Sequence, residues 1–164
     1  MRGSMRWGGN LERVINYQFG ILHEIKNLGK IQFPDGAWYA GEFKNNEIDG
    51  FGEYFWPDGR QYKGQWKDNL MDGQGESIWP NGRKYKGEYA KDKQEGFGIY
   101  HWGDGRIYYG YWINSLQHGR GILKNNEEGG KEVRGIWQEG IMKKEINDGF
   151  DEILKLKQLE EGVK

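Results

Sequence analysis

The sequence has no cysteine, and it has only three histidines and three prolines among its 164 residues. The lack of cysteine excludes disulfides and thiolate metal sites and fits a reducing, intracellular compartment. Serine and threonine are too scarce to place a nucleophile beside a base, and no histidine pair or carboxylate cluster has metal-ligand spacing. The recurring Gly-x-Gly pattern lacks the third glycine of a nucleotide-binding fingerprint. We therefore predict a protein that is not an enzyme, with no catalytic residue, no metal and no cofactor.

The chain also lacks an excess of either charge and lacks long apolar runs. It has 24 Lys and Arg residues against 25 Asp and Glu residues, which gives a formal net charge of -1. This balance predicts no nucleic-acid partner, because it provides no attraction to a phosphate backbone. No apolar run approaches the roughly 20 residues of a membrane span, and the start lacks the apolar core of a signal peptide. We expect a cytoplasmic protein.

Glycine and aromatic residues are abundant instead. The chain has 28 glycines, and aromatic residues make up 15% of it, including eight Trp and ten Tyr. Only 35% of the residues are hydrophobic, which is little for a conventional core. Large rings bury much apolar surface per residue, so the aromatic residues must carry the packing.

The glycines and aromatic residues recur with a period of 23 residues. Gly41, Gly64, Gly87 and Gly110 show this spacing. A tyrosine column and a tryptophan column keep the same step: Tyr39, Tyr62, Tyr85 and Tyr108, and Trp56, Trp79 and Trp102. Periods of 20 to 50 residues are typical of solenoids, in which each unit buries its apolar face only against its neighbours.

Each repeat is expected to contain two short strands, such as 61–66 and 74–79, with Asp-Gly or Asn-Gly pairs as hairpin signals. Alternation places Tyr62, Gly64 and Trp66 on one face of the first strand. It places Gly73, Gly75 and Trp79 on one face of the second. The glycines should leave room for rings from adjacent strands, with Gly64 and Gly75 facing Trp66 or Trp79.

The chain divides into four parts. Residues 1–4 are expected to be a vector remnant, and residues 5–28 form a segment for which helix and degenerate hairpin both stay open. The repeat array is predicted over residues 29–144, and an amphipathic helix over residues 148–163. The fold class is therefore all-β: an elongated single-layer antiparallel β-hairpin solenoid with a C-terminal amphipathic helix.

The predicted helix has an apolar surface that needs a partner. The sheet face opposite the one that carries Tyr62 and Trp66 becomes apolar toward the C-terminal half of the array, where an exposed apolar patch would favour aggregation. We expect the helix to dock there and to cover the open end of the sheet. The expected contacts are Tyr109, Tyr111, Ile122 and Ile136.

The repeat resembles the MORN repeat family (membrane occupation and recognition nexus) over about Phe33 to Trp137. The stretches Tyr62-Lys63-Gly64-Gln65-Trp66, Gly73-Gln74-Gly75 and Trp79-Pro80-Asn81-Gly82 carry the family pattern. The resemblance implies a β-hairpin array that acts as a scaffold in cytoskeletal, ciliary or cell-division assemblies. It also implies that dimerisation through terminal repeats, or association with the cytoskeleton or a cilium, can be expected.

A regular sheet with an aromatic groove suits a protein partner that binds as an extended or helical peptide. The predicted contacts are the rings of this groove: Phe43, Tyr62, Trp66, Trp79, Tyr85, Tyr89, Trp102, Tyr108 and Trp112. The alternative interpretation is that these rings only pack against one another and contact no partner. Two alternatives follow from the resemblance: weak binding to phosphoinositides or another anionic lipid surface, and a role as the repeat portion of a larger lipid kinase or lysine methyltransferase.

Overall fold

The structure is a computed structural model, and it describes residues 11–15, 27–126 and 130–162. These residues form one twelve-stranded antiparallel sheet and one α-helix. Each strand pairs with the strands next to it in the chain, so the sheet is a meander without crossovers. The predicted single-layer hairpin array and the C-terminal helix are confirmed. No helix of the described residues is long and apolar enough to cross a membrane.

The strands have nearly constant lengths within the repeats. The first six are β1 Leu11–Ile15, β2 Asn27–Gln32, β3 Trp38–Lys44, β4 Glu47–Phe55, β5 Gln61–Lys67 and β6 Leu70–Ile78. The next six are β7 Lys84–Ala90, β8 Lys93–His101, β9 Ile107–Ile113, β10 Leu116–Lys124, β11 Glu132–Gln138 and β12 Ile141–Glu145. The second strand of each repeat thus begins earlier than the sequence suggested, at Leu70 rather than residue 74 in the second repeat.

Two kinds of hairpin turn alternate along the array. The Asp-Gly and Asn-Gly turns close a hairpin with one positive φ, as at Gly59, whose N–H donates to the Trp56 carbonyl at 2.9 Å. The other turns have two consecutive residues with positive φ, such as Asp68 (51°) and Asn69 (67°). Positive φ at both central residues is the geometry of a type I′ turn. No tight turn was predicted at these positions, because Asp68 and Asn69 do not form an Asp-Gly or Asn-Gly pair.

A β-bulge interrupts each repeat at the same place. Between the pairs Gly64–Gly75 and Trp66–Met71, β5 has one residue and β6 has three. Gly73 lies in this bulge with φ 99°, and a Cβ there would meet the Gln65 side chain. The prediction that Gly73 shares a face with Gly75 is therefore wrong, because the bulge shifts the alternation.

The two faces of the sheet differ in what covers them. The aromatic face is defined by the buried tyrosines Tyr39, Tyr62, Tyr85 and Tyr108 and the rings packed around them. The opposite face, which includes Tyr109 and Ile122, carries the helix and is called the helix face below. Alternation along β5 follows this division, with Tyr62, Gly64 and Trp66 buried and the residues between them exposed.

Helix α1, Asp151–Glu161, packs on the C-terminal half of the helix face. Phe150 and Ile153 are each 2% exposed, and they form a cluster with Ile99, Tyr109 and Ile122. Docking near Tyr109, Tyr111 and Ile122 agrees with the prediction, whereas Ile136 is not a member of this cluster. The helix covers the face of the sheet around β9 rather than running along the terminal strand β12.

Part of the N-terminal segment is a strand. Residues Leu11–Ile15 form β1 and pair antiparallel with β2, which favours the degenerate hairpin over the helix for this part of the segment. Residues 5–10 and 16–26 of the segment and the predicted vector remnant lie outside the described residues. Residues 27 and 28 belong to β2.

Candidate partner-binding groove

A tyrosine ring fills the space that two glycines leave open in each repeat. A Cβ on Gly75 would lie 2.5 Å from two ring carbons of Tyr62, and one on Gly64 would lie 2.5 Å from the Gly75 Cα. The lack of space at both glycines is as predicted, but the ring is that of Tyr62 and not Trp66 or Trp79. The Tyr62 hydroxyl donates a hydrogen bond to the Gln65 carbonyl at 2.8 Å, which satisfies its polar end at the bulge.

These rings continue from repeat to repeat as edge-to-face contacts. Tyr62 meets Trp66 at 5.0 Å between centroids and Tyr89 at 5.2 Å, with interplanar angles of 86° and 87°. Edge-to-face geometry places the positive edge of one ring against the negative face of the next. The Trp66 indole N–H donates to the Gly52 carbonyl at 3.3 Å, which links this ladder to the preceding repeat.

Burial keeps the tyrosines of the ladder neutral. Removal from water raises the pKa of the Tyr62, Tyr85 and Tyr108 phenols well above the usual value, because the phenolate would lose its hydration. The same cause raises the pKa of Tyr89. The hydroxyls of Tyr62, Tyr85 and Tyr108 donate hydrogen bonds to backbone carbonyls. All four phenols stay protonated at neutral pH and do not act as bases.

The nine rings predicted as partner contacts fall into two groups. Six are buried, at 6% exposure or less: Tyr62, Trp66, Tyr85, Tyr89, Tyr108 and Trp112. Phe43, Trp79 and Trp102 are only partly buried. The buried group forms the packed ladder, and Trp112 and Tyr89 also reach the surface of a cavity. The exposed ring surface is concentrated in Trp79, Trp102 and their equivalents.

An open cavity of about 420 Å³ lies on the aromatic face. One wall consists of the half-buried tryptophans Trp56, Trp79 and Trp102, which follow the second strand of successive repeats. The opposite wall includes Met71 and Leu116 from the turn side of the sheet. We call this cavity the groove. Its volume is in the range of small-molecule and peptide side-chain pockets.

Each tryptophan of the groove wall is stacked with an arginine four residues later. The guanidinium carbons of Arg60, Arg83 and Arg106 lie 4.8, 5.5 and 5.1 Å from the ring centroids of Trp56, Trp79 and Trp102. A guanidinium on a ring face is held by cation–π attraction. These arginines and Trp56 were not among the residues predicted for the site, although the spacing of the arginines by 23 residues was a signal that could have identified them.

Four lysines on the helix face are paired with carboxylates. Lys63 lies 2.6 Å from Glu53, and Lys84 lies 3.0 Å from Glu76. Glu160 and Glu161 of α1 bind Lys86 and Lys124 at 2.6 and 3.2 Å. These pairs reduce the positive potential that this face can present to an anionic surface.

No group of three or more His, Asp or Glu side chains with metal-ligand geometry occurs in the part of the chain that the structure describes. What the site offers is a surface of rings, guanidinium groups and amides, arranged with the period of the repeat. A hairpin array with such a groove defines the class of repeat-built interaction modules.

Comparison with known families assigns this array. The MORN repeat model matches residues 39–59, 62–82, 85–105 and 108–126, which together make up half of the chain. The chain belongs to the MORN repeat family, whose repeats act in interactions with proteins and membranes. A comparison with curated protein sequences found no match.

Proposed function

We propose that this chain is a non-catalytic scaffolding module that binds a partner protein along the groove. The observation that carries the proposal is the wall of partly exposed tryptophans, Trp56, Trp79 and Trp102, on a face with no covering element among the described residues. Partly exposed Trp and Arg residues are the side chains most enriched at binding hot spots. The packed tyrosines beneath them make the wall rigid, which lowers the entropy cost of binding.

The repeat period suits a linear partner. Two strands at about 4.7 Å each give roughly 9.5 Å per repeat along the array. An extended peptide advances about 3.3 Å per residue, so about three residues span one repeat. A segment of nine or ten residues would therefore run past Trp56, Trp79 and Trp102 and meet an equivalent environment at each repeat.

The cellular setting rests on the family alone. The resemblance to the MORN proteins of cytoskeletal and ciliary assemblies implies a similar setting for this chain. We therefore propose a cytoskeletal or ciliary assembly in the cytoplasm as its place of action. A homodimer through the terminal repeats stays a prediction, and the molar mass in solution tests it. Lipid binding stays an alternative that the paired cations of the helix face do not favour.

A pull-down from the native cell, with identification of the bound proteins by mass spectrometry, tests the proposal. The wild-type chain is compared with the double variant Trp79→Ala/Trp102→Ala and with Phe51→Ala. Phe51 is 49% exposed and pairs with Gln65 on the opposite face, so it is a matched aromatic control. We expect the double variant to lose a specific partner that the control retains, with both variants folded by circular dichroism.

If Phe51→Ala loses the partner and the double tryptophan variant retains it, the binding site lies on the helix face instead. Flotation with vesicles that contain an anionic lipid separates the alternative, because a lipid-binding module would float irrespective of the two tryptophans.

A further inference from the structure

The three arginines stacked on the groove tryptophans differ in their hydrogen-bond partners. Arg60 Nε donates to the Asp58 carboxylate at 2.8 Å, and Arg106 Nε donates to the Asp104 carboxylate at 2.9 Å. At the equivalent position of the middle repeat, Arg83 Nε donates to the amide oxygen of Asn81 at 3.0 Å. The turn geometry is preserved, but the anionic partner of the arginine is not.

Because Asn81 stands where the neighbouring repeats have Asp58 and Asp104, Arg83 has no carboxylate partner in the described part of the chain. No carboxylate lies within 4.0 Å of Arg83 in the described residues, whereas Arg60 and Arg106 each form a salt bridge. The bond to Asn81 uses Nε, and neither terminal nitrogen of the guanidinium is hydrogen-bonded to a described residue. Both terminal N–H groups are therefore available for a ligand, in the planar arrangement that matches a carboxylate.

The position of Arg83 places this charge in the groove. Arg83 and Trp79 both line the cavity, with Arg60 on the same wall. The acidic side chain of the lining is Asp92, and its carboxylate accepts the Met71 N–H at 2.8 Å. Asp92 thus stabilises a turn of the opposite wall and does not neutralise Arg83.

We propose that Arg83, held on the face of Trp79, is the recognition subsite for an acidic side chain of the partner peptide. The proposal rests on the function proposed above and names the chemistry of its partner. An aspartate or glutamate side chain accepts hydrogen bonds from the two terminal nitrogens of Arg83. The partner is an extended segment in which this carboxylate is flanked by apolar residues.

The spacing of those apolar residues follows from the array. Trp56 and Trp102 lie one repeat to either side of Trp79, and about three residues of an extended peptide span one repeat. Apolar side chains three positions before and three positions after the acidic residue would therefore reach these two rings. Because Arg60 and Arg106 are already neutralised, the flanking positions do not require a charge.

A phage-displayed library of random dodecapeptides, selected on the wild-type full chain, tests the proposal. We expect the enriched sequences to share an Asp or Glu with apolar residues three positions away on one or both sides. Replacement of that acidic residue by its amide in a fluorescent synthetic peptide should weaken binding about tenfold, as for the loss of a charge-assisted hydrogen bond.

The matched variant is Asn81→Asp, which introduces the residue that the neighbouring repeats already carry and so leaves the turn intact. We expect it to weaken binding of the acidic peptide about tenfold and to leave the amide version unchanged. The variant Asp58→Asn is the converse control, since it removes the carboxylate partner of Arg60. We expect this variant to bind peptides that carry a second acidic residue, opposite Arg60, at least as tightly as the wild type does.

The outcomes separate this inference from the function on which it rests. Enriched peptides that need Trp79 but carry no acidic residue, or whose affinity is unchanged by Asn81→Asp, would contradict the acidic subsite. They would still support binding in the groove. An absence of enriched peptides, or peptides insensitive to Trp79→Ala, would overturn both. Binding of phosphoinositide vesicles that Asn81→Asp abolishes, without peptide binding, would assign Arg83 to lipid phosphates instead.

Discussion

The buried tyrosines and the glycines beneath them form the packing unit of this protein. Tyr85 repeats the arrangement of Tyr62, with its ring over Gly98 and its hydroxyl donating to the Glu88 carbonyl at 2.9 Å. Glycine normally weakens a strand, but here the lost side chain is replaced by a ring from the neighbouring strand. A fully buried ring of this size contributes on the order of 2 kcal/mol from its area alone.

Substitution of Gly75 by valine should therefore destabilise the fold strongly. The new Cβ would overlap the Tyr62 hydroxyl oxygen and lie 2.5 Å from two ring carbons, and this ring is already packed against Trp66 and Tyr89. We expect a loss of about 2 to 3 kcal/mol in the free energy of unfolding, measured by urea denaturation. The control is Gln74→Val at the adjacent exposed position, with an expected change within about 0.5 kcal/mol. Equal stability of the two variants would contradict the packing account.

At the level of the elements, the type I′ turns join the strands of each repeat and also link successive repeats. The Asn69 side chain accepts the Ile48 N–H at 2.8 Å, and the Asn69 N–H donates to the Ile48 carbonyl at 2.9 Å. Asp92 makes the same pair of bonds with Met71, at 2.8 and 3.0 Å. The second turn residue thus connects each repeat to the preceding one.

The first residue of these turns also adopts positive φ, and the Lys91 N–H donates to the Asp72 carboxylate of the preceding repeat at 3.3 Å. Lys91 has φ 50°, a conformation that a lysine adopts at a cost, whereas other repeats have Asn45, Asp68 or Asn114 there. We expect Lys91→Gly to raise the free energy of unfolding by about 0.5 to 1 kcal/mol in thermal or urea denaturation. Lys67→Gly, in a strand, should lower it by a similar amount. A loss of stability in Lys91→Gly would show that the lysine is not strained.

Helix α1 is attached by an apolar anchor and a set of polar contacts. Phe150 and Ile153 are buried on the sheet, while Glu152 accepts a hydrogen bond from the Tyr111 hydroxyl at 3.0 Å. Surface ion pairs such as Lys86–Glu160 contribute at most about 1 kcal/mol each. The apolar contacts therefore dominate the docking energy.

Ile153→Ala should loosen the helix, since it removes most of a side chain that is 2% exposed. We expect a loss of about 2 kcal/mol or more in the free energy of unfolding. Leu159→Ala is the matched control on the same helix, because Leu159 is 77% exposed and its change should stay within about 0.5 kcal/mol. Truncation after Asp148 should also expose Tyr109 and Ile122 and increase the binding of a hydrophobic dye. Unchanged stability and dye binding would mean that α1 is not a cap.

At the scale of the whole molecule, stability depends on a row of similar contacts instead of one central core. Each repeat packs only on its neighbours, so the terms are nearly additive along the array. Within the described residues, the two faces of the sheet together contain six phenols whose pKa is strongly raised by burial. Tyr39, Tyr62, Tyr85, Tyr89, Tyr108 and Tyr109 share this property.

This shared property predicts alkaline destabilisation. Above about pH 10 the unfolded chain loses phenol protons that the folded chain retains, so the folded state binds more protons and stability falls as pH rises. The tyrosine contribution is complete below the unfolded pKa and is lost progressively from there toward the raised folded values. We expect urea midpoints to fall steeply between about pH 9 and 11, with the tyrosinate absorbance of these six residues appearing only on unfolding.

Tyr108→Phe checks the cause. Burial alone raises the pKa of Tyr108, and its hydrogen bond to the Tyr111 carbonyl is long, at 3.4 Å. The variant should therefore fold, and its loss of stability per pH unit above pH 10 should be shallower by up to about 1.4 kcal/mol. Parallel pH profiles for the variant and the wild type would exclude the phenols as the cause.

Much of the architecture could be predicted from the sequence because the repeat imposes it. The 23-residue period predicted hairpins and one sheet. The apolar residues of the tail and of the sheet face predicted the docking of a C-terminal helix near Tyr109 and Ile122. The bulge at Gly73 could not be predicted from alternation, because glycine fits a strand, a turn and a bulge alike. For the same reason the start of β6 at Leu70 was missed.

The candidate site was predicted only in part. Nine rings were predicted to line the groove, but alternation assigns a residue to a face without giving its depth. Tyr62 lies in mid-strand beside two glycines and is covered by Trp66 and Tyr89, whereas Trp79 follows the last residue of β6 and keeps an exposed surface. Pairing between repeats, which is a tertiary property, decides this difference.

The sequence by itself determined the family, the hairpin array and the identity of the residues that repeat, because a fixed period forces every unit into the same local structure. The tertiary structure decided which rings are packed and which form the groove, and it brought Arg83 onto Trp79 beside the neutral Asn81. The physical reason is that burial and charge pairing depend on neighbours across strands and across repeats. These neighbours are fixed only when the bulges and turns have set the register of the sheet.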